Sequence, residues 1–175
     1  MLTKEISIPE GVNVDVVGNI VKVSGTKGQV ERQFQLNRDM KIEKADNKVK
    51  VTSESEVRNA RALVGTIIAH IRNMFTGVTT GYTYRLRTVY AHFPITVKVE
   101  GSKVLVQNFL GERTPRIANI LNSVQVKIEG PDLIVSGVDV EKVSQTSANI
   151  EQATRIVGYD KKIFQDGIFL VSREG

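Results

Sequence analysis

The sequence predicts an α+β protein made of two tandem similar domains, each a mostly antiparallel β-sheet with one helix packed on it. Three observations predict this. Apolar and polar residues alternate around short glycine turns, the same pattern returns in the second half of the chain, and a helical stretch follows each set of strands. The first domain is expected over residues 1–80 and the second over 81–175.

Val14-Asp-Val-Val-Gly-Asn-Ile-Val-Lys-Val23 alternates around Gly18-Asn19, the signature of a two-residue hairpin. Val97-Lys-Val-Glu-Gly-Ser-Lys-Val-Leu-Val106 repeats it, with Gly18 on Gly101, Val21 on Val104, Val23 on Val106 and Gly28 on Gly111. One residue is then inserted, and 40–51 match 124–135. Gly25-Thr-Lys-Gly28 has the Gly-x-x-Gly form of a nucleic-acid backbone clamp, but it lies between strands and reads as a hairpin turn.

Ser53-x-x-Glu56 reads as a capping box opening the first helix, whose stripe is Val57, Val64, Ile67, Ile68, Ile71 and Met74. Gly77 is expected to end that helix, and residues 76–81 to form the hinge between domains. The second helix is expected over roughly 140–156, with Val143, Ala148, Ile150 and Ala153 apolar. Asp139 and Glu141 suit its positive end.

Composition excludes several classes of function. At 175 residues and 41 % hydrophobic content the chain can bury real cores. It has no cysteine, hence no disulfide framework, thiolate metal site or cysteine nucleophile. No apolar run approaches membrane-spanning length, and the first residues lack an apolar signal region. A soluble intracellular protein is expected. Neither a Ser–His–Asp arrangement, a P-loop, a dinucleotide fingerprint nor a metal-ligand cluster is present, so no enzyme, cofactor or small-molecule substrate is expected. His70 sits beside the apolar stripe and reads as structural, and His92 as a packing and hydrogen-bonding residue.

Charge points elsewhere. The 24 Lys+Arg against 19 Asp+Glu give +5, with a pI near 9.5. Residues 57–99 contain no acid at all but carry Arg58, Arg61, Arg72, Arg85, Arg87 and Lys98. Phosphate is the commonest partner of such a surface, since one carboxylate would repel every nearby phosphate. Arg85 and Arg87 alternate with apolar residues, which places them on one face of a strand. Between 81 and 128 there are seven bases against Glu100 and Glu112; between 129 and 154, five acids stand against Lys142. Arg155, Lys161 and Lys162 form a second basic cluster. The segregation predicts an RNA-facing side on the second domain. The alternative from another class is a tandem protein-interaction module that binds through a strand edge, and salt sensitivity separates the two.

Three motifs are recognisable: Tyr-Arg-Leu-Arg-Thr-Val-Tyr-Ala-His-Phe-Pro-Ile (84–95), Asn-Phe-Leu-Gly-Glu (108–112), and Gln-Ala-Thr-Arg-Ile…Lys-Lys-Ile-Phe-Gln-Asp-Gly-Ile-Phe-Leu-Val (152–171). In this order they resemble the large-subunit ribosomal protein six family, closest to its archaeal and eukaryotic branch. The resemblance spans nearly the whole chain and implies two similar α+β domains. It implies a structural protein, cytoplasmic in the large ribosomal subunit, whose second domain holds large-subunit rRNA near the sarcin–ricin loop and the stalk base. Neighbouring ribosomal proteins at the stalk base are the implied partners, with translation factors docking nearby, and no membrane is involved. Tyr82, Tyr84, Arg85 and Arg87 fall in the first motif region, Gly111, Arg113 and Arg116 in or after the second, and Lys161, Lys162 and Gln165 in the third. These ten are the candidate RNA-binding residues, with arginine forks for phosphates, tyrosines for unpaired bases, and Gly111 for close approach of the backbone. Arg113-Thr-Pro-Arg116 after the second motif and Gly158-Tyr159 in the third depart from the family pattern.

Overall fold

The computed structural model describes residues 1–175. The chain divides into two compact units, Met1–Gly81 and Tyr82–Gly175. The first contains β1 (Leu2–Ser7), β2 (Asn13–Val17), β3 (Ile20–Gly25), β4 (Gly28–Gln33), β5 (Met40–Ala45), β6 (Lys48–Ser53) and α1 (Arg58–Thr79). The second contains β7 (Tyr82–Val89), β8 (Thr96–Glu100), β9 (Lys103–Gln107), a 3-10 turn (Phe109–Gly111), β10 (Arg116–Asn119), β11 (Val124–Glu129), β12 (Asp132–Gly137), α2 (Val140–Ala153) and β13 (Gly167–Glu174).

Each unit holds two small sheets rather than one. The first has β1-β6-β5 and β2-β3-β4; the second has β11-β12-β7-β13 and β10-β9-β8. Every pairing is antiparallel. The duplication is visible in the register. Ser53 lies opposite both Leu2 and Met40, as Gly137 lies opposite both Tyr82 and Val124. Lys4 therefore corresponds to Tyr84, Glu5 to Arg85, Ile6 to Leu86 and Lys48 to Asp132. Strand β13 has no counterpart in the first unit, where β1 is an edge.

The match of Gly28 with Gly111 does not survive. Val23 pairs with Val30, whereas Val106 pairs with Arg116, so the extra residues lie between β9 and β10. In the first unit that connection is the tight Thr26-Lys27 turn. It lies against the end of α1, where the Lys27 amide donates to the Val78 carbonyl at 2.9 Å. A Cβ on Gly25 would stand 2.8 Å from that carbonyl oxygen, so close approach is what demands the glycine. In the second unit the connection is the long loop that carries Asn108-Phe-Leu-Gly-Glu112.

The helix ends differ from expectation. Ser53 belongs to β6 and donates to the Ser55 carbonyl, while Glu56 binds the Met1 ammonium at 2.7 Å. There is thus no capping box; Val57 is the N-cap and offers no side-chain bond. Gly77 is buried inside α1, which continues to Thr79 because Val78 is fully buried in the core. Thr80 closes the helix by donating its amide to Thr76, and Gly81 (φ +76) turns the chain out. Most of the expected hinge is therefore helix. α2 stops at Ala153, and Asp139 caps it by accepting from the Glu141 amide at 3.0 Å.

The core of the second unit is built from Leu86, Val104, Val106, Phe109, Leu133, Val135, Val143, Ile150 and Ile168. That of the first is built from Val14, Val21, Val23, Val49 and Val51 beneath Val64, Ile67 and Ile71 of α1.

Candidate RNA interface

Strand β7 has two unlike faces. Tyr82, Tyr84 and Leu86 point into the core. The tyrosines are 8 % and 9 % exposed, which denies their rings to an unpaired base and corrects the stacking role expected for them. Arg173 also lies over the Tyr84 ring at 5.8 Å. Arg85 and Arg87 stand on the opposite, exposed face, but not free. Asp132 on β12 sits directly across from Arg87 and accepts from Arg87 Nε and from Arg85 Nη1, both at 3.0 Å. The Arg87 hydrogen bond, aided by Arg85, holds the Asp132 carboxyl below its ordinary range and raises the Arg87 guanidinium in return. Both guanidiniums keep outward N–H groups, with side chains 44 % and 52 % exposed. The trio thus carries one net positive charge where the sequence promised two.

Arg116 spends most of its donors inside the chain. Its Nε and Nη2 grip the Glu112 carboxylate at 2.9 and 2.7 Å, and its Nη1 donates to the Ala153 and Arg155 carbonyls at 3.2 and 2.7 Å. The guanidinium stacks 4.5 Å over the Phe109 ring. It is a clamp that satisfies carbonyls at the end of α2 and ties the long loop to that helix. Its hydrogen bond lowers the Glu112 pKa below the usual carboxylate range.

The long loop is held in an unusual backbone. Asn108, Leu110 and Gly111 all have left-handed φ, at 59°, 51° and 74°. Buried Phe109 and Leu110 anchor it, and Asn108 Nδ2 donates to the Pro94 carbonyl at 2.9 Å. Strain of this kind in a non-glycine residue persists only where packing over-determines it, and it marks functional loops. Gly111 is favoured by its left-handed φ and by its closeness to the Phe93 ring, from which a Cβ would stand 3.2 Å. Its amide donates to Asn108 at 3.3 Å rather than facing outward. Arg113, two residues on, is exposed and joins no ion pair.

The third motif forms a turn on Asp160. That residue accepts from the Lys162 amide through Oδ1 at 2.9 Å and from the Phe164 amide through its carbonyl at 2.8 Å. Lys161 and Lys162 are left exposed, and the Gln165 side chain folds back to the Lys162 carbonyl at 3.4 Å. Phe164 stacks between Tyr159 (4.8 Å) and His92 (4.5 Å). Asp166 is 1 % exposed; its Oδ1 accepts from the Ala91 amide at 3.2 Å, and His92 Nδ1 lies 3.8 Å away. A cleft of about 690 Å³ opens beside it, lined in part by Arg155, Lys161, Phe164, Gln165 and Phe169.

The structure therefore draws the three sequence motifs together. Residues 91–95 touch the long loop through Asn108 and Gly111, and touch the third motif through Phe164 and Asp166. Of the ten candidates, Gly111, Arg113, Lys161, Lys162 and Gln165 sit in this loop cluster. Arg85 and Arg87 occupy the outer sheet face, Tyr82 and Tyr84 the core, and Arg116 a clamp. Sequence reasoning missed Asp132 and Asp166, for which only a pairing partner gives the signal. It also passed over Tyr90 and Phe93, 52 % and 41 % exposed, whose place in the acid-free tract was signal enough.

A duplicated α+β scaffold whose second copy gathers its loops at a basic, aromatic end defines a two-repeat α+β protein. The sequence profile of the family described as Ribosomal protein L6 matches residues 8–81 and 93–167, one repeat in each unit. The large ribosomal subunit protein uL6 of Sulfurisphaera tokodaii is 49 % identical over 99 % of this chain and 93 % of its own length. That of Aeropyrum pernix is 50 % identical over 99 % and 95 %, and that of Methanothrix thermoacetophila 47 % over 98 % and 97 %. The chain belongs to the ribosomal protein L6 family.

Proposed function

We propose that this chain is a structural constituent of the large ribosomal subunit and holds large-subunit rRNA mainly through its second unit. The observation that carries this reading is the convergence of three distant motifs into one loop cluster, with Arg113, Lys161 and Lys162 exposed and outside any ion pair. Unpaired cations held on an anchored loop and an Asp-capped turn bind phosphate without first breaking an internal salt bridge. Arg85 and Arg87 act as an aligned pair whose spare N–H groups meet the same backbone. Exposed Tyr90, Phe93 and Tyr159 offer faces to unpaired bases or edges to 2′-hydroxyls. The site on the subunit is that of the family resemblance, by the sarcin–ricin loop and stalk base, with neighbouring ribosomal proteins and translation factors close by. Such a protein works in the cytoplasm.

The test is a salt titration of binding to a large-subunit rRNA transcript. Arg113→Ala/Lys161→Ala/Lys162→Ala is expected to flatten the slope of log K against log salt by about two to three, at roughly 0.7–0.9 per phosphate lost. An unchanged slope in a folded triple variant sinks the assignment.

A further inference from the structure

The solvent face of α1, in the first unit, is cationic and carries no acid. Arg58, Arg61 and Arg72 fall within one third of the helical wheel, all exposed and none in an ion pair. Between them the face carries only small side chains, notably Ala62, Gly65 and Ala69. Lys4 of β1 reaches this face beside Gly65, its Nζ 3.6 Å from where a Cβ on that residue would stand, an ordinary contact. Lys4 thus adds a fourth cation midway along the face. Glu56, whose field reaches Arg61, is already engaged by the Met1 ammonium at 2.7 Å.

These arginines do not serve the helix. The first turn of α1 has no acid and no side-chain cap, while Arg58 and Arg61 stand where the helix dipole is positive. α2 shows the ordinary solution, with Asp139 capping and Glu141 in its first turn. A helix start that accepts this repulsion keeps its charge for something outside the molecule.

We infer that this face is a second RNA contact, in which Lys4, Arg58, Arg61 and Arg72 meet phosphates along roughly 20 Å of helix. Guanidinium forks match phosphate oxygens, and the small residues let an RNA backbone lie close against the helix. Within α1 the face has no exposed aromatic or large aliphatic side chain, and exposed Val57 and Met1 lie only at its N-terminal end, which favours RNA over an acidic protein along most of its length. The inference does not rest on the loop cluster of the second unit.

The experiment uses the full chain and a large-subunit rRNA transcript as probe. Arg58→Gln/Arg61→Gln/Arg72→Gln is compared with a control of equal charge change on the same unit, Arg38→Gln/Lys41→Gln/Lys44→Gln. The α1 variant is expected to flatten the salt slope by about two to three, while its melting temperature stays level or rises as dipole repulsion is relieved. The control is expected to keep the parent slope. The inference is overturned if the α1 variant keeps the parent slope, or if the control loses as much. It is equally overturned if the α1 variant binds rRNA normally yet fails to enter large subunits, since the partner would then be an acidic protein.

Discussion

The outer face of the β1–β6 pair and that of the β7–β12 pair carry the same device with its charges exchanged. In the first unit Glu5 on β1 takes Lys50 at 3.2 Å and Lys48 at 3.3 Å on β6. In the second, Asp132 on β12 takes Arg85 and Arg87 on β7. Lys48 and Asp132 occupy equivalent positions, as do Glu5 and Arg85. One acid between two bases is preserved, while the strand that supplies the acid is not. The trio is therefore first a way to satisfy an exposed sheet face, and cation content along one strand is a poor measure of what that strand can bind.

The two copies differ more deeply in what covers the neighbouring edge. β7 is enclosed by β13, and Leu86 between them is fully buried; Ile6, its counterpart on open β1, is only half-buried. Leu86→Ala should cost about 2–5 kcal/mol in the second unit, against about 1 kcal/mol for Ile6→Ala in the first. Urea unfolding followed by a probe in each unit checks this, and equal losses would break the comparison.

The register position of Arg116 is held by Val30 in the first unit, where the β3–β4 turn is too short to need a clamp. Arg116→Lys should destabilise the second unit by about 1–3 kcal/mol, since a charged donor is lost to two carbonyls, yet leave the rRNA salt slope almost unchanged. A flattened slope without loss of stability would return Arg116 to the interface.

Acid should expose the two trios. The Glu5 and Asp132 carboxyls are both held low, Glu5 chiefly by its Lys50 hydrogen bond and Asp132 chiefly by that of Arg87. A lowered folded pKa gives stability that is present above the ordinary carboxylate range and lost as pH falls through the folded value. Asp132→Asn and Glu5→Gln should therefore be less stable than the parent at neutral pH and converge with it in strong acid. The gap should be wider for Asp132, whose side chain is 10 % exposed against 39 % for Glu5. Melting curves at stepped pH read both gaps.

The smallest effect concerns Lys4, which holds the register position of Tyr84 but is exposed on an uncovered edge. A charge on an edge strand discourages pairing with a second chain. Lys4→Tyr should change stability by about 0.5 kcal/mol or less and raise self-association in sedimentation.

The duplication, both hairpins of each copy, the acidic start of α2 and the apolar stripe of α1 apart from Val57, which is exposed at the N-cap, were legible because they rest on local periodicity and turn chemistry. The extent of α1 was not. Ser53-x-x-Glu56 has the spacing of a capping box, but Ser53 is claimed by β6 and Glu56 by the Met1 ammonium. The candidate interface was legible as a set of loops and illegible as a set of free charges. Tyr84 alternates correctly with Arg85, but only the sheet and helix decide which side is core. Asp132 and Glu112 neutralise arginines through contacts that residue types alone do not announce.

Strand β13 also sets a timetable. Every strand and the helix of the first unit are complete once Gly81 has been made, so that unit can close early. β7 follows at once, but its second neighbour is not synthesised until Gly167–Glu174. At roughly 5–20 residues per second, the apolar edge around Leu86 waits on the order of ten seconds for its cover. During that interval the nascent second unit is open to pairing with other chains, and the loop cluster is incomplete. A strand made about eighty residues after β7 is thus the one that closes its open edge.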